Sequence, residues 1–174
     1  MCSLWGQMKS ETHTLILALG NPLRGDDGVG TAVLAALRDA DLPNGVALVD
    51  GGTPGLESIL LMQGYRRAII VDAAEMGLEA GAWRRFEAHE ATLRAGDLSQ
   101  MGTLHAAGLS EALKLGAALG VLPQEVVIFG VQPQRIGWEA GLSAAVRAAV
   151  PAVCAAIREE LHRGCARDGK DTDH

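Results

Sequence analysis

Residues 17–30, LALGNPLRGDDGVG, join an apolar run to a glycine-rich loop and the beginning of a helical pattern. The run THTLILALG that leads into the loop is apolar without alternation, which is typical of a strand buried on both faces. After the loop, apolar residues recur at helical spacing, at Val29, Val33, Leu34 and Leu37. The stretch therefore predicts strand, loop and helix, the repeating unit of an α/β sheet.

The rest of the chain continues this alternation of strands and helices. Further strands are predicted at VALVD (46–50), RRAIIVDAA (66–74), GAWRRFEA (81–88, less apolar and expected at an edge) and EVVIFGVQP (125–133), and further helices at 56–62, 104–120 and 142–162. Pro151 should kink or divide the last helix. We expect an α/β fold of three layers, a twisted, mostly parallel five-stranded sheet with helices on both faces. It should form a single domain at 12–163, with flexible tails at 1–11 and 164–174.

Composition excludes several classes of function. The formal net charge of −6, without a basic block, argues against nucleic acid or an anionic membrane as partner. Three widely spaced cysteines, with no CxxC pair, argue against a disulfide framework and a thiolate zinc site. The apolar run LILALG is too short to be a signal sequence or to span a membrane. We expect a cytoplasmic protein, and a monomer.

Acidic residues stand at three predicted strand ends, as Asp26 with Asp27, Asp50 and Asp72. In open α/β sheets, ligands bind beyond the carboxyl ends of the strands. One of the adjacent pair could cap the following helix, but a second carboxylate adds repulsion, and a pair that faces a crevice more readily meets a cation. The loop also departs from G-x-G-x-x-G, which argues against a phosphate site. Asp50 could equally be a turn residue, and Asp72 could pair with an arginine.

A histidine, His105, lies at the predicted beginning of the 104–120 helix. Carboxylates and one imidazole on separate strand-end loops match a site for a borderline divalent ion such as Zn, Ni, Mn or Fe. H-E-x-x-H and G-x-S-x-G are both absent from the sequence, which argues against a zincin and against covalent acyl transfer. A metal-dependent hydrolase or a metal-recognition site remains.

Five motifs, in order and at their spacings, resemble those of the [NiFe]-hydrogenase maturation endopeptidases: LGNPLRGDDGVG, VDGGTPG, IIVDA, TLHAAGLSEAL and IFGVQPQRIGWEAGLS. The resemblance implies that Asp27, Asp72 and His105 are the metal ligands and the catalytic residues. It leaves Asp26 to cap the helix or to support the loop. It also implies a twisted sheet sandwiched by helices, in agreement with the strand and helix pattern.

The resemblance further implies a nickel-dependent endopeptidase that removes the C-terminal extension of a hydrogenase large-subunit precursor, just after a His or Arg. The precursor would supply the nickel, and no organic cofactor is expected. The nickel could be the Lewis acid, or it could only position the bond while a carboxylate acts as base, with Asp50 the candidate for that support. Two alternatives stay open: a non-catalytic nickel checkpoint, and a peptidase or amidase of this fold with a resident metal.

Overall fold

In the computed structural model, the backbone is described for residues 13–87 and 104–168, and side chains for 13–87 and 108–163. The strands are β1 Thr14–Leu19, β2 Val46–Gly52, β3 Arg67–Ala73, β4 Trp83–Glu87 and β5 Glu125–Val131. The helices are α1 Val29–Arg38, α2 Ser58–Met62, α3 Leu104–Leu119 and α4 Ala144–Asp168. Short 3-10 turns, Gly25–Gly28 and Gly55–Glu57, lead into α1 and α2.

The strands form one five-stranded sheet in the order β2-β1-β3-β5-β4. All neighbours are parallel except β4, which runs antiparallel to β5 with Trp83 opposite Val131. The predicted fold class is confirmed. The predicted edge position of β4 is also confirmed, and its weaker apolar pattern agrees with a strand that has a neighbour on one side only.

Each face of the sheet carries its own apolar core. On one face, Ile16, Ala18, Ile69 and Val71 pack among the apolar residues of α1 and α4. On the other, the residues that alternate with them, among them Leu15, Leu17 and Ile70, pack against α2 and α3. Because the inner strands are covered on both sides, their sequences are continuously apolar.

The connections define a switch point at the carboxyl edge of the sheet. The chain leaves β1 through α1 and forms β2 on one side of β1, and it then returns through α2 to form β3 on the other side. Adjacent strands whose connections leave in opposite directions open a crevice at their carboxyl ends, where α/β proteins bind ligands. That crevice lies here between β1 and β3.

Helix α4 differs from the predicted helix in two respects: it is not divided, and it is longer. It continues through Pro151 without division, because residues on both sides of the proline, Val146 and Val153, are fully buried against the sheet. It also extends to Asp168, past the predicted helix end at 162, while the predicted domain at 12–163 and its tails stay a prediction. The other predicted tail residues, 1–11 and 169–174, lie outside the described residues. Within the described chain, no helix combines the length and the apolar character needed to cross a bilayer.

Candidate functional site

The corner between β1 and α1 lies directly on the carboxyl ends of β1 and β3. Gly20 has a φ of +114°, and a Cβ there would lie 1.9 Å from the carbonyl oxygen of Asp27. A Cβ on Gly30 would lie 2.5 Å from the carbonyl oxygen of Leu19 and 2.7 Å from that of Val71. Any side chain at either position would push the corner away from the sheet, so these two glycines allow the acidic turn to lie over the β1–β3 crevice.

Asp26 is fully buried and faces the loop between β5 and α4. Its Oδ2 accepts the backbone N–H groups of Gln134 at 2.8 Å and Arg135 at 3.0 Å, and its Oδ1 accepts that of Ser143 at 2.6 Å. The Asp26 amide donates in turn to the Arg135 carbonyl at 3.1 Å. Of the two predicted roles, the structure shows no cap, since neither the turn nor α1 has a side-chain cap hydrogen bond in this described segment.

These contacts determine the charge state of Asp26. Burial by itself raises the pKa of the carboxyl, but hydrogen bonds from Ser143, Arg135 and Gln134 outweigh it and hold the pKa below its ordinary value. Asp26 is therefore a stable anion, with its negative charge spread over peptide dipoles. It fastens loop 134–143 to the turn that carries Asp27.

Asp27 and Asp72 are the buried carboxylates on the two sides of the switch point. Asp27 is fully buried, and its Oδ2 accepts the backbone N–H of Asn21 at 3.0 Å. Asp72 is buried near the end of β3, in register with Gly130 of β5. Since Val71 belongs to the core on the α1 side, alternation along the strand turns Asp72 toward the face covered by α2 and α3.

His105 is the second residue of α3, and its side chain lies outside the described residues. The backbone of α3 nevertheless shows where in the fold this residue lies. A Cβ on Gly108, one turn further along, would lie 3.1 Å from the Cα of Gly55, in the turn that follows β2. The first turn of α3 therefore lies at the carboxyl edge of the sheet, on the same face as Asp72.

Asp50 occupies a different position from the other candidates. Its Oδ2 accepts the hydroxyl of Thr31 in α1 at 3.2 Å, and its Oδ1 accepts the backbone N–H of Gly52 at 3.1 Å. The residue is exposed and in register with Ala18, whose side chain packs on the α1 face. Asp50 therefore links β2 to α1, on the face opposite Asp72.

A buried amide that the sequence did not single out organises the segment after β3. The Oε1 of Gln132 accepts the backbone N–H groups of Met76 at 2.7 Å and Leu78 at 3.2 Å, and its Nε2 donates to Glu75 at 2.6 Å. The only sequence signal was a polar residue directly after the apolar run of β5. Gln132 follows the last residue of β5, so these hydrogen bonds hold the end of β5 against the segment that follows Asp72.

The three predicted ligands are not assembled in the described part of the structure. Among the side chains of residues 13–87 and 108–163, no group of three or more His, Cys, Asp and Glu could hold a metal ion. The described fold brings Asp27 and Asp72 to the crevice and the backbone of His105 to the same edge. The ligand set therefore stays a prediction, and its chemistry, two carboxylates and an imidazole, suits a borderline divalent ion.

Comparison with known proteins agrees with the fold and the motifs. The hydrogenase maturation protease family model matches residues 32–160. The hydrogenase expression/formation protein HupD of Rhizobium leguminosarum bv. viciae is 33% identical over 140 residues, covering 79% of this chain and 68% of that protein. HoxM of Azotobacter vinelandii is 32% identical over 164 residues, covering 92% of this chain and 78% of that one.

The fold is shared with solved structures of hydrogenase maturation endopeptidases, among them two HybD proteins. The hydrogenase maturating endopeptidase HybD from E. coli superposes with a TM-score of 0.78 at 25% identity, covering 87% of this chain and 93% of that one. The [NiFe] hydrogenase maturation protease HybD from Thermococcus kodakarensis superposes with a TM-score of 0.67 at 28% identity, covering 86% of this chain and 98% of that one.

Proposed function

Since the chain belongs to the hydrogenase maturation protease family, we propose that it is a nickel-dependent endopeptidase that removes the C-terminal extension of a [NiFe]-hydrogenase large-subunit precursor. The observation that carries the proposal is the burial of two carboxylates, Asp27 and Asp72, on either side of the β1–β3 switch point. Burial of a carboxylate in a low-dielectric environment is costly, and two at a ligand crevice are typical of a cation site.

In this proposal, nickel belongs to the substrate. Asp27 and Asp72, together with His105 at the beginning of α3, bind the nickel that the precursor already carries. Oxygen and imidazole nitrogen ligands suit Ni²⁺. The metal could supply Lewis-acid activation or a fixed position for the scissile bond. The chain itself supplies the frame that positions Asp27. The hydrogen bonds of Asp26 fasten the turn to loop 134–143, and the close backbone packing at Gly20 and Gly30 holds it against the sheet.

Asp50 receives a supporting role rather than a proton-transfer role. Both of its oxygens already accept hydrogen bonds, from Thr31 and from Gly52, and it lies on the α1 face. Its contact with Thr31 fixes α1 relative to β2, and α1 follows directly from the acidic turn. We therefore expect an Asp50 variant to affect cleavage through the position of that corner.

The test is the intact mass of a large-subunit precursor, prepared with and without nickel, before and after addition of the protein. We expect loss of a short C-terminal peptide only from the nickel-loaded form. Asp72→Asn should abolish this loss while the protein stays folded. Asp39→Asn is the matched control, because it makes the same chemical change at an exposed residue beyond the other end of α1, and it should cleave normally.

Other outcomes of the same experiment would favour one of the two alternatives, a non-catalytic nickel checkpoint or a peptidase or amidase with a resident metal. Binding of the nickel-loaded precursor without any change in mass would replace the endopeptidase with a nickel checkpoint. Stoichiometric metal in the purified protein, with cleavage of a nickel-free precursor, would indicate a resident metal site. Normal cleavage by Asp72→Asn would remove Asp72 from the site.

A further inference from the structure

Loop 134–143 carries an exposed aromatic side chain that the proposed chemistry does not use. Trp138 is 82% exposed, more than any other exposed large hydrophobic residue in the described part of the chain. The indole offers a large apolar area at little conformational cost, and tryptophan is enriched among the residues that dominate protein–protein binding. Its exposure therefore requires an explanation.

The ring has a cationic neighbour, and the loop that carries it is fastened to the acidic turn. The guanidinium of Arg24 lies over it, with Cζ 5.6 Å from the ring centroid, and an ion pair of Arg135 with Glu139 brackets the same loop. Asp26 fastens both ends of the loop through its bonds to Gln134 and Ser143. An aromatic side chain on a loop that is fastened before binding loses less entropy on binding than one on a loop that must first become ordered.

A second apolar side chain lies on the neighbouring loop. Leu23 is 61% exposed, and it precedes Arg24 in the chain, two residues before the acidic turn begins. Its backbone N–H donates to the Oδ1 of Asn21 at 2.9 Å, so this loop is also ordered. Leu23, Arg24 and Trp138 together form what we call the rim surface.

The rim surface is continuous with the candidate site. Arg24 and Asp27 are three residues apart, and the amide of Asn21 contacts the Asp27 carboxylate. Any polypeptide whose bond is held at Asp27 and Asp72 must pass close to this turn. Among the described residues no carboxylate forms an ion pair with Arg24, and its guanidinium lies over the exposed ring of Trp138. Its positive charge is therefore available to a carboxylate at the rim.

We propose that the rim surface is the docking site for the precursor polypeptide beside its cleaved bond. The segment that docks there presents an apolar side chain to Trp138 and Leu23 and a neighbouring carboxylate to Arg24. This inference rests on the proposed function for the identity of its partner. It assigns recognition of the polypeptide to loop 134–143, separate from recognition of the metal by Asp27 and Asp72.

The test compares Trp138→Ala with Leu119→Ala. Leu119 is 62% exposed and lies at the end of α3, and it is a matched apolar truncation outside the rim surface. With nickel-loaded precursor, Trp138→Ala should raise KM and the Kd for the precursor at least about tenfold, with kcat nearly unchanged. Trp138→Phe should restore much of the affinity, and Leu119→Ala should match the wild type. Arg24→Gln should weaken binding a few-fold and reduce its dependence on salt.

Binding is measured separately from cleavage, by calorimetry in which the chains with and without Trp138→Ala both carry Asp72→Asn, so that the lost nickel ligand weakens both alike and the two proposals fail in different ways. Wild-type cleavage with an unchanged KM and Kd for Trp138→Ala would overturn the docking site and leave the endopeptidase standing. Binding that is weakened by Trp138→Ala, but without cleavage by the wild type, would support the docking site and overturn the endopeptidase. An absence of binding by the wild type would overturn both.

Discussion

The two edges of the sheet bury acidic side chains in opposite ways. At the amino edge, Glu160 of α4 receives the guanidinium groups of Arg67 and Arg85, the latter at 2.8 and 3.1 Å. At the carboxyl edge, Asp26 is equally buried, but its donors are backbone N–H groups of loop 134–143. Both carboxyls have a lowered pKa, although burial by itself raises it in each case.

The two carboxylates differ in whether their hydrogen-bond donors carry a formal positive charge. Arginines neutralise Glu160 with charges of the chain itself, so that edge needs no further cation. Asp26 accepts its hydrogen bonds from peptide N–H groups and not from a cationic side chain, and it does so beside the candidate ligand Asp27. We infer that the amino edge stabilises the fold and that the carboxyl edge is arranged to receive a cation from a partner.

The largest effect should follow from Glu160→Ala. The change leaves the buried Arg67 with Glu125 as its remaining carboxylate partner and removes both hydrogen bonds from Arg85 to Glu160, and loss of one member of a buried ion pair costs up to about 3–5 kcal/mol. Urea unfolding should show this loss, while the fraction that stays folded should cleave the precursor with unchanged kcat/KM. Glu159→Ala, at an exposed neighbour, should cost about 1 kcal/mol or less. An unfolding free energy close to that of the wild type would show that the arginines do not depend on Glu160.

Asp27→Asn should reduce cleavage strongly and change stability little, the opposite of Glu160→Ala. Loss of a charged ligand should reduce cleavage at least about 100-fold, since even residues that only support metal ligands contribute 10–100-fold. The unfolding free energy should change by about 1 kcal/mol or less, because an amide oxygen still accepts the Asn21 N–H. Single-turnover kinetics measure the cleavage rate, and urea unfolding of the same preparation measures the free energy of unfolding. Retained cleavage by Asp27→Asn would show that Asp27, like Asp26, has a structural role and is not a metal ligand.

Asp26→Asn should give a smaller, mixed effect. The amide nitrogen that replaces one oxygen would face a backbone N–H of loop 134–143, which leaves a buried donor unsatisfied at a cost of about 1–3 kcal/mol. The loosened loop should raise KM for the precursor more than it lowers kcat. Urea unfolding and steady-state kinetics measure the two parts. A selective loss of kcat, with KM unchanged, would instead connect Asp26 directly to the chemistry.

Much of the fold could be predicted from the sequence because its signals are local. The continuous apolar runs of β1, β3 and β5 specify strands covered on both faces, and loop glycines mark where they end. The continuity of α4 through Pro151 could not be predicted in this way, since packing of residues distant in sequence offsets the missing hydrogen bond.

For the candidate site, the strand ends that carry Asp27 and Asp72 could be predicted from the sequence but their contacts could not, and the ligand set itself stays a prediction. The positions of Asp27 and Asp72 follow from the rule that ligands bind at strand ends. The partners of Asp26 lie more than 100 residues away in sequence, so no local pattern could separate a helix cap from a support for loop 134–143. The sequence places Asp50 at a strand end, but the face of the sheet to which its side chain points depends on the register with Ala18, which the sequence does not show.

The smallest predicted effect concerns acid stability at the amino edge. Glu160 is faced by Arg67 of β3, Arg85 of β4 and Arg163 of α4, and they hold its pKa below the ordinary value of 4.5. A depressed pKa in the folded state stabilises the protein above pH 4.5, and this contribution is lost as the pH falls further toward the folded pKa. In Glu160→Gln, the slope of unfolding free energy against pH in that range should become shallower by up to about 1.4 kcal/mol per pH unit. Urea unfolding at a series of pH values measures it, and an unchanged slope would mean that Glu160 titrates alike in the folded and unfolded chain.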